Sequence, residues 1–269
     1  MGVDARSICF QFCKRLYHKY ILTFSGLDNI KMIVTGDINY RESDTNFCGY
    51  LAYDDQLPQP LPCVMVVHDW GGRGIAVCEK ARQLASMGYV GFAIDMYGDG
   101  QLGHDNSQRR ALVTPLVENR ELLAARMLAA LRAASALPQV DASKIAAIGY
   151  CFGGRCAIDM ARTGAAIKGV VSFHGILSEP QGVHSGVIQA RILVLHGYDD
   201  PMVRLDQVTN FATEMTLKKV DWQVHMYGLT AHSFTNPEAN DDIMGLHYNR
   251  AADLRSWKTT MAFLDEVLS

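Results

Sequence analysis

The chain has 269 residues, 49% of them hydrophobic and 20% charged, with 25 Lys and Arg against 28 Asp and Glu and a formal net charge of −3. That slight acidity excludes the basic field that nucleic acid or an anionic membrane surface demands of a partner. No stretch approaches the ~18 uninterrupted apolar residues of a membrane span, and the length suffices to bury one large core without metal or disulfide staples. Seven cysteines (Cys9, Cys13, Cys48, Cys63, Cys78, Cys151 and Cys156) form an odd, scattered set. A disulfide framework belongs to short secreted chains, so reduced thiols and a cytoplasmic location are expected. Cys9 and Cys13 are four apart, but no second pair completes a zinc site.

Residues 1–30 mix aromatics with Lys14, Arg15 and Lys19 and lack a cleavage signature, so they read as a mobile or weakly docked extension rather than a signal peptide. From Lys31 the pattern alternates strand and helix. Lys31–Ile38 and Phe47–Tyr53 read as an opening pair of strands, with a polar turn over Asn39–Asn46. Leu61–His68 is a continuous apolar run, the mark of a strand covered on both faces. Ala76–Met87 has helical spacing and stops at Gly88; Val90–Ile94 is a second buried strand ending at Asp95. Gln108–Ala136 carries one long helical pattern interrupted at Pro115. Lys144–Ile148, Ile167–Phe173, Ile192–Leu195 and Trp222–Met226 read as strands, with helices at Gly153–Arg162 and Leu205–Lys218. Leu246–Leu268 reads as a closing amphipathic helix. Alternation of this kind implies a mostly parallel sheet with helices on both faces. With no repeat and no linker, residues 31–269 form one domain.

The chemistry concentrates at Ala146–Gly154, A-A-I-G-Y-C-F-G-G. A buried strand runs into Gly149-Tyr150-Cys151-Phe152-Gly153 and a helix follows, which is a nucleophile elbow with Cys in the place usually held by Ser. Side chains two before and two after such a nucleophile would strike neighbouring backbone, so glycine is required at both places. The turn also aims the sulfur at a helix N-terminus, which favours thiolate. Cys63 and Cys78 lie inside elements and read as small buried hydrophobes.

An elbow nucleophile needs an acid and then a histidine, in that order along the chain. The strand Ile192–Leu195 ends in His196-Gly197-Tyr198-Asp199-Asp200; the recurrent Gly-x-x-Asp turn points to Asp200, with Asp199 as the alternative. His232, on the loop after the last strand, is the candidate base. After the first buried strand, His68-Asp69-Trp70-Gly71-Gly72 supplies a Gly-rich loop where α/β-hydrolases build half of an oxyanion hole, giving the backbone N–H groups of Trp70 and Phe152 as donors. His68, His174, His184, His196, His225 and His247 read as core or surface residues. No H-E-x-x-H or H-x-H spacing occurs, so no metal is expected. Gly71-Gly72-Arg73-Gly74 lacks the Lys-Ser/Thr of a phosphate loop, and no cofactor is expected.

These motifs resemble the dienelactone hydrolase family of α/β-hydrolases from about Lys31 to Leu268: Gly149 to Gly154, Gly197 to Asp200, Gly228 to Phe234 with its A-H-S-F core, and Asp95-Met96-Tyr97. The resemblance extends to a promiscuous phosphotriesterase or arylesterase member. It implies an α/β-hydrolase fold without a large cap domain, with Gly175–Gln189 as a short substrate loop, and a Cys151–His232–Asp200 triad. It also implies that Asp69, standing where the type enzyme carries glutamate, contacts the resting cysteine. The arginines that hold a lactone carboxylate in the type enzyme are replaced by Asp99 and Asn236. With that clamp gone, Trp70, Met96, Tyr97, Phe152, Met202 and Phe234 are expected to line an apolar mouth for neutral aryl or short acyl esters. The expected protein is a monomeric or homodimeric hydrolase of small-molecule esters or lactones, with phosphotriesters as promiscuous substrates. An acyl transferase or thioesterase using the same residues, and a non-catalytic binding module, are the alternatives.

Overall fold

The computed structural model describes residues 32–180 and 186–269; the proposed N-terminal extension lies outside them. An eight-stranded sheet runs in the order β1-β2-β4-β3-β5-β6-β7-β8. Its strands are β1 (Ile33–Glu42), β2 (Thr45–Asp54), β3 (Leu61–Val67), β4 (Val90–Ile94), β5 (Val140–Tyr150), β6 (Gly169–Phe173), β7 (Arg191–Gly197) and β8 (Trp222–Tyr227). β1 and β2 pair antiparallel, as do β2 and β4, and the remaining strands are parallel. A short β9 (Asn240–Asp241) pairs with β10 (Leu246–His247).

Side-chain alternation divides the core between the two faces of the sheet. Cys63, Met65 and Val67 of β3 join Phe92, Ile94, Leu123, Met127, Ile158 and Phe211 on one face. Val64 and Val66 join Val77, Leu84, Ile148, Phe263 and Leu264 on the other. Helices α3 (Arg120–Ser135), α4 (Phe152–Arg162) and α5 (Leu205–Leu217) thus cover the first face, and α1 (Ile75–Ala85) and α6 (Arg250–Leu268) the second. Strands buried on both sides read as continuous apolar runs for this reason.

Among the boundaries that differ from the sequence reading, three have a clear physical reason. β1 and β2 continue to Glu42 and from Thr45, so the hairpin turns on Ser43-Asp44, with Ser43 at φ 51°, rather than across Asn39–Asn46. The long helical pattern divides at Asn119, not at Pro115. Pro115 lies inside α2 (Asn106–Glu118), while Asn119 leaves helical geometry at φ −114° and ψ 89° and caps α3 through Leu122 N–H at 2.9 Å. The last helix begins at Arg250, capped by Asn249, because Leu246–His247 is drawn into β10. No helix among the described residues is long and apolar enough to cross a membrane.

β4 and β5 flank β3 on opposite sides, so the connections leaving β3 and β5 open a crevice at their C-terminal ends, where open α/β sheets bind ligands. His68–Gly72 leaves β3 there, and Cys151 leaves β5.

Candidate active site

Cys151 sits between β5 and α4 at φ 53° and ψ −111°, a backbone conformation rarely adopted by a residue with a side chain. Its N–H donates to Phe173 O at 3.0 Å, fixing the turn against β6. The glycines behave as the elbow demands. A Cβ at Gly149 would stand 2.0 Å from Gly153 O, and one at Gly153 would stand 2.4 Å from Val67 O and 2.6 Å from His68 O. The second approach seats the start of α4 directly on the end of β3.

Cys151 Sγ lies 3.1 Å from His232 Nε2, and His232 Nδ1 lies 2.7 Å from Asp200 Oδ2. Asp200 is held by a turn of its own: Oδ1 accepts from Met202 N–H at 2.8 Å and from Val203 N–H at 3.1 Å. Asp199, the alternative acid, is exposed, with its N–H on Thr230 O. The His232 backbone is tied to β10, since His247 N–H donates to its carbonyl at 3.0 Å. Burial opposes a charge on the His232 imidazole, but the Cys151 sulfur and the Asp200 carboxylate outweigh it and push the imidazole up to about 10.

Neutral groups surround this charge. The His174 ring meets the His232 ring edge-on with centroids 5.1 Å apart, and its Nε2 is 2.8 Å from Thr235 Oγ1. Burial and the neighbouring His232 charge hold His174 well below the ordinary histidine range, and burial lowers His196 as well.

Trp70 is half-buried on the loop after β3, and Phe152 is the first residue of α4. Neither backbone N–H has an acceptor among the described residues, which leaves two free amide donors, one at the start of α4 and one on the loop after β3. Asp69 uses Oδ1 to accept from Gly71 N–H at 2.7 Å and makes no hydrogen bond to Cys151. A carboxylate one methylene shorter than glutamate closes its own turn instead of reaching the sulfur.

The expected apolar mouth is partly corrected. Met96 and Phe234 have 0% exposure and Tyr97 and Phe152 4%, so these side chains pack in the core instead of lining an opening. Phe234 meets the His174 ring at 5.1 Å, and the Tyr97 hydroxyl donates to Trp70 O at 2.8 Å. Met202 and Trp70 keep partial exposure, and the residues replacing the arginine clamp, Asp99 and Asn236, are exposed. In the loop after β6, the described part is pinned from behind: Arg162 donates to Leu177 O at 3.0 Å and Arg120 to Ser178 O at 3.2 Å. Residues 181–185 of that loop lie outside the described set. No group of three or more His, Cys, Asp or Glu side chains among the described residues could hold a metal, and none of the five cysteines there forms a disulfide.

The sequence alone gives no site role to His68 or to Asp95. His68 is fully buried, with Nδ1 2.5 Å from Asp69 O and Nε2 3.2 Å from Met96 N. Asp95, also fully buried, accepts backbone N–H groups from Cys48, Tyr97, Gly98 and Gly100. The available signal was position alone, since each residue directly follows a buried strand.

The sheet order and the elbow at the end of β5 define an α/β-hydrolase. The model of the dienelactone hydrolase family matches residues 47–268; the chain belongs to this family and is an ester- or lactone-bond hydrolase. A dienelactone hydrolase-like promiscuous phosphotriesterase from metagenomic libraries matches with a TM-score of 0.84 and 36% identity, over 88% of this chain and 99% of that one. An uncharacterized protein of Caenorhabditis elegans is 38% identical over 147 residues, 54% of this chain and 93% of its own. Porphyromonas gingivalis dipeptidyl peptidase 4, at 16% identity and a TM-score of 0.66 over 88% of this chain and 36% of its own, shares the fold alone.

Proposed function

We propose that the protein cleaves neutral aryl or short acyl esters and lactones through a covalent Cys151 intermediate, without a metal. The observation that carries this reading is the line from Cys151 Sγ to His232 Nε2 at 3.1 Å and from His232 Nδ1 to Asp200 Oδ2 at 2.7 Å, placed at a strained elbow. The Cys151 thiolate attacks the carbonyl carbon, and the sulfur–carbon bond forms as the carbonyl electrons move to oxygen. The amides of Trp70 and Phe152 receive that oxyanion. The oxyanion collapses and expels the alcohol, which takes its proton from the His232 imidazolium. Neutral His232 then draws a proton from water, the resulting hydroxide opens the thioester, and Cys151 is released. Asp200 fixes the imidazole orientation throughout, and Asp69 shapes the Trp70–Gly71 turn.

Asp99 and Asn236, in place of a basic clamp, support neutral rather than carboxylate-bearing substrates, with half-buried Trp70 and Met202 as the apolar contacts. The likeness to a promiscuous phosphotriesterase supports neutral aryl phosphotriesters as secondary substrates. Small-molecule esters as partners, a cytoplasmic location and a monomer or homodimer complete the proposal. The deciding experiment is a pre-steady-state burst with a neutral aryl ester and an aryl phosphotriester. Bursts lost in Cys151→Ala and indifferent to chelator are the expected outcome; turnover surviving in Cys151→Ala, or abolished by chelator, refutes it. Transfer of the acyl group to an added alcohol or amine, in preference to water, would instead assign the acyl transferase alternative.

A further inference from the structure

We infer that His68 and Tyr97 are positioning residues that aim the Trp70 amide into the site, an inference resting on the proposal that Cys151 forms an acyl-enzyme with Trp70 as an oxyanion donor. In a planar trans peptide the C=O and N–H point in opposite directions, so holding one sets the other. The Asp69 carbonyl and the Trp70 N–H belong to one peptide. His68 Nδ1 is 2.5 Å from that carbonyl and must donate to it, because a carbonyl oxygen only accepts. Its Nε2, 3.2 Å from Met96 N–H, must accept. Both bonds together select one neutral tautomer of a fully buried ring, and burial lowers the pKa of His68, keeping it neutral.

The next peptide, Trp70–Gly71, is held from both ends. The Tyr97 hydroxyl donates to Trp70 O at 2.8 Å, and Gly71 N–H donates to Asp69 Oδ1 at 2.7 Å. Burial pushes the Tyr97 phenol up, so it stays a donor. Tyr97 is fixed in turn, since its N–H donates to Asp95 Oδ1 at 2.9 Å and its ring stacks on Phe152 and meets His68 edge-on. The carbonyls on either side of Trp70 are thus both bound from the core side. The Trp70 N–H is left without an acceptor among the described residues. A preorganised donor of this kind acts on charge that develops only as the ester is attacked.

The test separates oxyanion chemistry from thiolate chemistry in the same protein. Acylation is read as the burst rate with p-nitrophenyl acetate, and thiolate reactivity as iodoacetamide alkylation of Cys151, which generates no oxyanion. Tyr97→Phe and His68→Leu are expected to slow acylation about tenfold to a hundredfold, with KM and the alkylation rate within about threefold of wild type. His68→Asn, which keeps an N–H donor near the Nδ1 position, is expected to recover most of the acylation rate. Tyr97→Phe removes a single hydroxyl and decides the matter if His68→Leu does not fold. Wild-type acylation in Tyr97→Phe overturns the inference, as does a parallel fall in acylation and alkylation. Survival of the burst in Cys151→Ala would instead remove the reading on which the inference rests.

Discussion

His232 Nδ1 and Asp200 Oδ2 stand 2.7 Å apart with both side chains at 0% exposure, so the imidazole is oriented by a carboxylate that water does not reach. Asp200→Asn is expected to lower kcat about a thousandfold or more, because the amide can present an N–H to Nδ1 and select the wrong tautomer. Asp199→Asn, on the exposed neighbour, is expected to leave kcat unchanged. Steady-state kinetics of the two variants side by side check the assignment.

The same bond governs titration. His232 is pushed up to about 10 by Cys151 and Asp200 against the opposing effect of burial. A folded-state value above the unfolded one means that the group stabilises the fold fully below about pH 6.5, and that this contribution is lost as pH rises toward 10. Two-dimensional NMR of the imidazoles should show His232 titrating above the other histidines. Its midpoint should fall in Cys151→Ala, which removes the sulfur beside Nε2, and in Asp200→Asn.

The five described cysteines should separate sharply in reactivity. Burial pushes Cys63 up to about 12, holds Cys156 well above the ordinary thiol range, and raises Cys78. At pH 7.5 substoichiometric iodoacetamide followed by peptide mass spectrometry is expected to find the label on Cys151 first, with Cys63 and Cys156 unlabelled until the protein unfolds.

Gly149 and Gly153 are expected to resist even a methyl group. With a Cβ at 2.0 Å from Gly153 O, Gly149→Ala should destabilise by about 3 kcal/mol or more, or fail to fold. Gly36→Ala, where nothing lies within 4 Å, is the matched control and should shift urea-unfolding stability by no more than about 0.5 kcal/mol.

Behind the site, Arg162 is 3% exposed and paired with Asp159 at 3.0 Å and Glu214 at 2.5 Å. Arg162→Met would leave two buried carboxylates short of a partner and is expected to cost about 3–5 kcal/mol. Burial alone would raise Glu214, but the bonds to Arg162 and Lys218 hold it below the ordinary carboxylate value. Its contribution is therefore present above that value and lost as pH falls. Acid-unfolding curves should show a weaker dependence in Arg162→Met than in wild type.

How much of this was legible in the sequence depends on whether a position had one physical reason or two. Gly149 and Gly153 flank Cys151 at a spacing that only close backbone approach explains, and Asp200 and His232 follow in the required order, so these residues could be singled out directly. Met96 and Phe234 are apolar residues beside motifs, and either a mouth or a core would select them; tertiary packing chose the core. Asn119 and Pro115 likewise competed to end a helix, and the residue able to cap the next helix prevailed. His68 carries no signal beyond its position after a buried strand, because its partners are backbone atoms of Asp69 and Met96, and backbone atoms are common to every residue.

The edge hairpin reaches farther inward than its place at the rim of the sheet suggests. Tyr40 of β1 donates its hydroxyl to Asp95 O at 2.9 Å and stacks on Phe47 at 5.1 Å. Through Asp95 and Tyr97, that outermost strand stands only a few hydrogen bonds from the Trp70 peptide. Loss of β1 would remove both its ladder with β2 and the hydroxyl that holds Asp95 O, so the apparent periphery supports the fold and the loop behind the site together.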